Sequence, residues 1–288
     1  MRSLKFKSYA KINLTLAIKN KRNDGYHNIN SVMQTITLKD KIKLKKDNKI
    51  SCKINVKNIP TNEKNLAIKA AKIFFESLKI PFGVKIYIKK KIPIESGLAG
   101  GSSNAAAVLV GLNKLYKTNL NKKNLLELAI KIGADVPFLI SGGTALVKGK
   151  GEIIYDLNPF NRCQILIIKP KFSVSTKEAY LKFDKFFNDR NFSYDLTENL
   201  TLAIKKNQSL EKTTKLFFND FENVLEKDFV SKLKHIMFKN KALCCNLTGS
   251  GSAFFAIFKN KKNAKFAKKI LKSEEMLTFL CTTKEKYF

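Results

Sequence analysis

A glycine-rich segment at residues 93–103 contains residue types that bind phosphate. Its sequence is PIESGLAGGSS. It lies between an alternating segment at 84–88, which predicts a strand, and an alanine run from Ala105, which predicts a helix. A helix start has unpaired N–H groups and the positive end of the helix dipole, and both attract anions. We therefore predict a phosphate site here, with hydroxyl donors from Ser102 and Ser103, and a flexible turn as the alternative.

The segment does not fit the familiar nucleotide-binding patterns. A P-loop requires a lysine directly after its last glycine, whereas Ser102 follows Gly101. A dinucleotide fold requires G-x-G-x-x-G, a spacing that these glycines lack. If the segment binds a nucleotide triphosphate, it does so through backbone groups.

Lys11 and Asn13 could line a site near the N-terminus. Residues 8–18 alternate in character and predict one strand, from which these two side chains project on the same side. A lysine in a strand is most often solvated, so a purely structural interpretation stays open.

A turn at 23–25 leads directly to Tyr26 and His27. By itself it predicts a hairpin turn. Because His27 is one of two histidines in the chain and lies near the strand of Lys11, a polar contact to a ligand is also a candidate role.

Asp135 is the candidate general base. It lies between a helix predicted to begin at Asn121 and stop at Gly133, and an apolar run whose Pro137 prevents helix continuation. A capping or turn aspartate is the common interpretation of such a position. A carboxylate flanked by Ala, Val, Pro and Phe is, however, partly desolvated, as a general base requires.

Composition indicates a globular protein with ample core. The chain has 288 residues, 44% hydrophobic and 27% charged, and a net charge of +32. Such a charge could attract nucleic acid, but the lysines are spread evenly, which is typical of compositional bias. The five cysteines form no C-x-x-C pair, and no signal peptide or run of ~20 apolar residues is visible, so we expect a cytoplasmic protein without a membrane partner.

The second half restarts after a boundary at 156–160. A strand at 164–168, several helices, and a final helix and strand predict a second α+β layer. Between two apolar strands lies a further glycine turn at 246–253, which predicts either a hairpin or a backbone nest for an anion.

Taken together, these stretches resemble the GHMP kinases, named for galactokinase, homoserine kinase, mevalonate kinase and phosphomevalonate kinase. The family's central loop, P-x-x-x-G-L-x-G-G-S-S, matches residues 93–103. The AKINL and DGYH stretches near the N-terminus resemble the branch that phosphorylates a cytidine diphosphate derivative in the non-mevalonate isoprenoid pathway. The stretches GADVPF at 133–138 and GSGS at 249–252 also resemble the family, so the resemblance spans most of the chain.

The resemblance implies an α+β fold of two domains. Residues 1–158 would form an ATP-binding domain like domain 2 of ribosomal protein S5, and residues 159–288 a ferredoxin-like domain that binds substrate. It also implies a phosphotransferase that acts on an alcohol, with ATP and Mg²⁺ as cofactors and a monomeric or homodimeric state.

The resemblance assigns roles to particular residues. Asp135 would accept the hydroxyl proton, and Lys11 would keep Asp135 ionised and stabilise transition-state charge. The nucleotide would contact Asn65, Leu66, Pro93, Ile94, Glu95, Ser96, Gly97, Leu98, Ala99, Gly100, Gly101, Ser102 and Ser103, with Ser102 or Ser103 near Mg²⁺. The cytidylyl substrate would contact Asn13, Tyr26, His27, Thr176, Tyr180, Gly249 and Ser250. No protein side chain is assigned as a dedicated metal ligand.

The chain departs from the family loop at a few positions. Glu95, Ser96 and Ala99 stand where glycine is common, and Glu95 is expected to point outward, away from the phosphates. Another GHMP kinase, of the homoserine or mevalonate type, remains an alternative, although the DGYH turn argues against it. An RNA-binding protein is the alternative from a different class, and it predicts basic residues clustered on one face.

Overall fold

The computed structural model describes residues 3–80, 83–187 and 195–286. Within these residues the strands form two sheets, one with eight strands and one with four. The strands of the larger sheet are β1 Ser3–Asn13, β2 Thr15–Lys21, β3 His27–Asp47, β4 Ser51–Ile54, β5 Gly83–Lys89, β6 Thr144–Gly149, β7 Ile153–Asp156 and β9 Phe218–Asn219. The long central strand β3 pairs antiparallel with β1, β2, β5 and β6.

The strand predicted over 8–18 is instead two strands with a break at Leu14. The prediction of a single strand was wrong because the chain bends there while both parts stay paired to β3, Asn13 opposite Met33 and Ala17 opposite Asn30. Residues 8–17 are buried on both faces. Lys11 and Asn13 therefore share a side, as predicted, but neither is solvated.

Helices cover one face of this sheet. The helix α2, Gly100–Tyr116, contacts β1 and β3, and the helix α1, Leu66–Leu78, contacts both α2 and β5. Asn65 caps α1, since its side chain accepts a hydrogen bond from the N–H of Ala67 at 2.9 Å. The helices are α1 Leu66–Leu78, α2 Gly100–Tyr116, α3 Lys122–Ile130 and α4 Val136–Ser141.

The smaller sheet is antiparallel and lies in the second half of the chain. Its strands are β8 Gln164–Lys169, β10 Cys244–Leu247, β11 Phe254–Phe258 and β12 Leu277–Thr282. Their spatial order, β12-β8-β11-β10, is the 4-1-3-2 order of ferredoxin-like domains. The helices of this half are α5 Thr176–Phe187, α6 Asp195–Lys205, α7 Leu210–Thr214, α8 Lys227–Lys239 and α9 Lys261–Ser273, with a 3₁₀ helix at Asp220–Val224.

The two halves are joined by hydrogen bonds at the edge of the larger sheet. The short strand β9 pairs in parallel with β2. Directly after it, the Asp220 carboxylate, 3% exposed, accepts a hydrogen bond from the N–H of Ile18 at 2.7 Å. Asn219 donates to the carbonyl oxygens of Leu247 and Gly249. Side chains from the second half thus hold β2 and the second glycine turn together.

Asp220→Asn is expected to stabilise the protein at neutral pH. Burial raises the pKa of Asp220 from 3.8 to about 6, so its contribution to stability is complete below pH 3.8 and is lost as the pH rises through 6. At neutral pH the pKa shift corresponds to a loss of at most about 3 kcal/mol in the free energy of unfolding. The amide oxygen of the variant can still accept the hydrogen bond from the N–H of Ile18. Urea unfolding should therefore show a higher free energy of unfolding for the variant at pH 7 and a vanishing difference towards pH 4. The exposed Asp228→Asn is the matched control; an equal effect of both variants would contradict the prediction.

One open face of the larger sheet is lined with lysines, and we call it the lysine face. Across its strands Lys5 lies opposite Lys43, and Lys41 lies opposite both Lys7 and Lys89. It comprises Lys5, Lys7, Lys39, Lys41, Lys43, Lys45, Lys53, Lys85 and Lys89. Asp47, at its end, pairs with Lys85 at 3.0 Å.

The cysteine side chains are all free and buried. Burial raises the pKa of the Cys245 thiol to about 12, so this thiol stays protonated and unreactive. No helix in the described part of the chain combines the length and the apolar character needed to cross a bilayer.

Candidate active site

A cavity of about 490 Å³ lies between the glycine loop, the N-terminal strands and the second half of the chain. Its size is typical of a small-molecule site. It brings together nearly all the residues predicted for the site: Lys11, Asn13, Tyr26, His27, Asn65, Leu66, Pro93, Ile94, Glu95, Ser96, Gly97, Ala99, Gly100, Gly101, Ser102, Asp135, Thr176, Tyr180, Gly249 and Ser250. Leu98 and Ser103 lie outside the lining.

The glycine loop ends at the start of α2 with open backbone donors. Ala99 occupies the N-cap position in a left-handed conformation, and no side chain caps the helix. The first N–H groups of α2 are therefore left for a ligand at the positive end of the helix dipole. Glu95 is exposed and lies at the cavity lining, and its expected orientation away from the phosphates stays a prediction.

Leu98 and Ser103 anchor this loop rather than face the cavity. The carbonyl oxygen of Leu98 accepts the N–H of Lys11 at 3.2 Å. The Ser103 hydroxyl donates to the carbonyl oxygen of Tyr9 at 2.6 Å and accepts from the Ser8 hydroxyl at 2.7 Å. Of the two serines predicted near a metal ion, Ser102 is the one that lines the cavity.

The second glycine turn packs directly against the first. Gly97 has a φ of +71°, and a Cβ on it would lie 2.0 Å from the carbonyl oxygen of Thr248. The N–H of Ala253 donates to the carbonyl oxygen of Ser96 at 3.3 Å. The Thr176 and Ser250 hydroxyls, 2.9 Å apart, tie the start of α5 to the same turn. The second turn therefore supports the glycine loop.

Asn13 connects the catalytic candidates to this turn. Its Oδ1 accepts hydrogen bonds from Lys11 Nζ at 2.7 Å and from the N–H of Gly249 at 2.9 Å. Its Nδ2 donates to Ser31 Oγ at 2.9 Å. Asn13 therefore holds Lys11 in position, and it also lines the cavity.

Lys11 is 3% exposed and points into the cavity. Burial lowers the pKa of its ammonium group, and the negative charge of Asp135 acts in the opposite direction. The two groups attract through space; among the ion pairs of the described residues, none joins them directly. An ammonium group in this position can neutralise charge that develops on a transferred phosphoryl group.

Asp135 occupies the N-cap position of α4, yet its side chain makes no capping hydrogen bond. The apolar run after it is this short helix, which starts with Pro137 in its first turn, where a proline is tolerated. Within the described residues the carboxylate has no hydrogen-bond or ion-pair partner, although Asp135 is half-buried in the cavity wall. It is therefore available to a ligand.

Aromatic and imidazole rings form one part of the cavity wall, which we call the ring-lined end. Tyr180 stacks on His27 with ring centroids 4.8 Å apart and meets Phe221 edge to face. Burial, with the charges of Asp135 and Asp184, raises the pKa of Tyr180 to about 12, so its phenol stays neutral. Tyr26 is exposed, and Lys150 lies over its ring at 5.2 Å.

Three residues that the sequence analysis did not select also contribute here. Lys90 lines the cavity and pairs with the buried Asp40. Asp40 also accepts the N–H groups of Lys91 at 2.6 Å and Ile92 at 2.8 Å, which fixes the entry into the glycine loop. Asp184 on α5 contacts His27 Nε2 at 2.7 Å. The local pattern gives no signal for contacts between residues so far apart in the chain.

Two family models match the chain, GHMP kinases N terminal domain over residues 65–143 and GHMP kinases C terminal over 200–276. The chain is 42% identical over 287 residues to 4-diphosphocytidyl-2-C-methyl-D-erythritol kinase of Clostridium tetani, covering 97% of this chain and 100% of the relative. Its identity to the same kinase of Clostridium perfringens (strain ATCC 13124) is 44% over 275 residues, 94% of each. The chain belongs to this kinase family.

A solved structure of the kinase family agrees with this assignment. A 4-(cytidine 5'-diphospho)-2C-methyl-D-erythritol kinase superposes with a TM-score of 0.80 at 26% identity, covering 97% of this chain and 99% of that one. The mevalonate kinase of Methanococcus jannaschii, at 18% identity and a TM-score of 0.75, shares the fold. Family membership confirms the two-domain α+β GHMP fold, the phosphotransferase class and ATP as donor. The boundary at residue 158 and the roles of single residues stay predictions.

Proposed function

We propose that this chain transfers the γ-phosphoryl group of ATP to the 2-hydroxyl group of 4-diphosphocytidyl-2-C-methyl-D-erythritol. The observation that carries the proposal is the position of Asp135. Its unpartnered carboxylate shares one cavity with the open N–H groups of α2, the buried Lys11 ammonium and the ring-lined end at His27 and Tyr180.

The ATP phosphates lie on the backbone N–H groups at the start of α2. Gly100 and Gly101 let the phosphates approach the backbone closely. Asn65 and Leu66, at the start of α1, line the same cavity, Leu66 beside Gly101, and contact the adenosine end. In this arrangement the γ-phosphate points towards Asp135 and Lys11.

Asp135 accepts the proton of the substrate hydroxyl as the oxygen attacks the γ-phosphorus. Lys11, held by Asn13, offsets the negative charge that develops on the transferred group. The hydroxyl oxygen gains the phosphoryl group, ADP leaves, and the proton passes to the carboxylate.

The site fits a magnesium ion held mainly by the nucleotide. Mg²⁺ in kinases is bound by phosphate oxygens, waters and one or two protein oxygens. The Ser102 hydroxyl beside the helix start is such a donor, and Mg²⁺ bound there would neutralise phosphate charge. Within the described residues no cluster of three or more acidic, Cys or His side chains could hold a metal.

The substrate's cytidine lies at the ring-lined end. Tyr26 is exposed and can cover one face of the base, while Tyr180, which stacks on His27, can cover the other face. The hydroxyls of Thr176 and Ser250 and the backbone of Gly249 line the same cavity, and we assign the substrate diphosphate to them.

The activity is expected to fall on the alkaline side through deprotonation of Lys11. Because burial lowers the pKa of Lys11 below the ordinary 10.5, the active ammonium form is present below that lowered pKa and is lost as the pH rises through it. In Lys11→Arg this alkaline limb should disappear, since arginine stays charged. A profile of kcat against pH checks this; an unchanged limb in the variant would show that another group controls it.

The proposed function is tested by ADP release with Mg·ATP and three alcohols: the cytidylyl substrate, homoserine and mevalonate. Turnover of the first alone supports the assignment. Turnover of homoserine or mevalonate in its place would assign the chain another GHMP activity, and ATP binding without turnover of any would overturn the proposed substrate.

A further inference from the structure

The two ring nitrogens of His27 have different surroundings. Nε2 lies 2.7 Å from Oδ1 of Asp184, and the His27 side chain is only 5% exposed. Within the described residues Nδ1 has no hydrogen-bond partner, and His27 lines the cavity. Nδ1 is therefore the nitrogen left for a ligand.

Asp184 is held in place as an ionised acceptor. Its other oxygen, Oδ2, contacts Lys21 Nζ at 2.7 Å. Burial acts to raise the pKa of Asp184, but the hydrogen bond from Lys21 and the interactions with His27 outweigh it, and the pKa is lowered. An ionised carboxylate can only accept, so the proton between Asp184 and His27 belongs to Nε2. The stacked Tyr180 ring, 16° from parallel, fixes the plane of the imidazole.

We propose that Asp184 is a positioning residue that keeps the proton of His27 on Nε2, so that Nδ1 accepts a hydrogen bond from the amino group of a cytosine base. This inference rests on the proposed function, because it takes the ring-lined end of the cavity as the pyrimidine site. The amino group of cytosine is a donor, whereas uracil has an acceptor oxygen at the same position. A fixed Nδ1 lone pair therefore favours cytosine and repels uracil.

The first test reads the tautomer of His27 directly by ¹⁵N NMR of the imidazole rings. The chain has two histidines, and the exposed His235 on α8 serves as an internal reference. We expect His27 to be protonated on Nε2 and unprotonated on Nδ1 in the unmodified protein. In Asp184→Ala it should show a mixture of tautomers. Protonation on Nδ1 in the unmodified protein, or an unchanged tautomer in Asp184→Ala, would overturn the proposal.

The second test measures base selection. Asp184→Ala should raise KM for the cytidylyl substrate about 10-fold, the effect of one hydrogen bond, and leave KM for ATP unchanged. The preference for CDP over UDP as an inhibitor should fall by a similar factor. In Asp184→Asn the amide oxygen can still accept a hydrogen bond from Nε2. This variant should therefore keep a KM for the cytidylyl substrate and a preference for CDP close to those of the unmodified protein. Glu178→Ala removes an exposed acid from the same helix and is the matched control.

The outcomes separate the inference from the proposed function. If no alcohol substrate is turned over but the tautomer behaves as expected, the substrate assignment fails and the function of Asp184 in fixing His27 stands. If the cytidylyl substrate is turned over and Asp184→Ala keeps both its KM and its preference for CDP, the inference is overturned. If Asp184→Ala loses affinity for ATP as well as for the substrate, Asp184 has a general structural function, and the inference is also overturned.

Discussion

Asp135→Asn is expected to lower kcat by about 10²- to 10⁴-fold, the usual loss for a general base, while ATP binding is retained. The amide has the shape of the carboxylate but cannot accept the hydroxyl proton. Because the Asp135 side chain makes no capping hydrogen bond, the replacement removes no contact from the fold. The kcat from ADP release and the ATP affinity from titration calorimetry are the two measurements.

The same variant has a second expected effect on Lys11. Asp135 raises the pKa of Lys11 against the larger effect of burial, so its removal should move the alkaline limb of the residual activity to lower pH. A thermal unfolding midpoint equal to that of the unmodified protein is the control for folding. Residual kcat within 10-fold of the original would contradict the assignment of Asp135 as base, since a base contributes at least about 10²-fold.

Gly97→Ala is expected to disrupt both glycine loops at once. A methyl group at this position would lie 2.0 Å from the carbonyl oxygen of Thr248, in a backbone conformation with a φ of +71° that favours glycine. Backbone atoms cannot rotate away as a flexible side chain can, so the glycine loop and the turn at 248–251 must separate. We expect ATP affinity to fall at least about 10-fold, and the free energy of unfolding to fall by about 2–3 kcal/mol. Titration with ATP and urea unfolding measure the two.

Gly25→Ala separates backbone strain from the clash. Gly25 has a φ of +80°, but a Cβ there meets no atom within 4 Å. The loss in the free energy of unfolding of Gly25→Ala should be limited to the strain of the left-handed backbone, about 1–2 kcal/mol. If Gly97→Ala loses no more stability than Gly25→Ala and binds ATP normally, the contact between the two loops does not support the phosphate site.

Local pattern and family resemblance predicted most of the cavity lining. Gly97, Lys11 and Asp135 each belong to a short motif whose residues are adjacent in the chain, so the sequence contains the signal. Ser103 belongs to the same motif, but its burial against Tyr9 depends on how α2 packs on β1. Which of two neighbouring serines faces a ligand is decided by that packing, and not by the motif.

Contacts between distant segments could not be predicted. Asp184 is one helical turn after Tyr180, and that spacing places both on one face of α5. The meeting of Asp184 with His27, 157 positions earlier, depends on the relative placement of the two halves. The contact of Asp220 with Ile18 depends on the same placement. The strand β9 could not be predicted either, because two residues are too few for a periodic signal.

The lysine face implies that ionic strength stabilises this protein. Lysines directly opposite each other on neighbouring strands, such as Lys5 and Lys43, have Cβ atoms about 5 Å apart, and their like charges repel one another. The pKa of Lys39 is lowered by burial and, in addition, by the positive charges of Lys7 and Lys41. The second effect is the same repulsion between neighbouring lysines. Salt at about 0.1 M screens such charges over roughly 10 Å. The melting temperature should therefore be higher in moderate sodium chloride than in dilute buffer. Of these two conditions, the protein is less stable in the low-salt buffer, which matters for its purification.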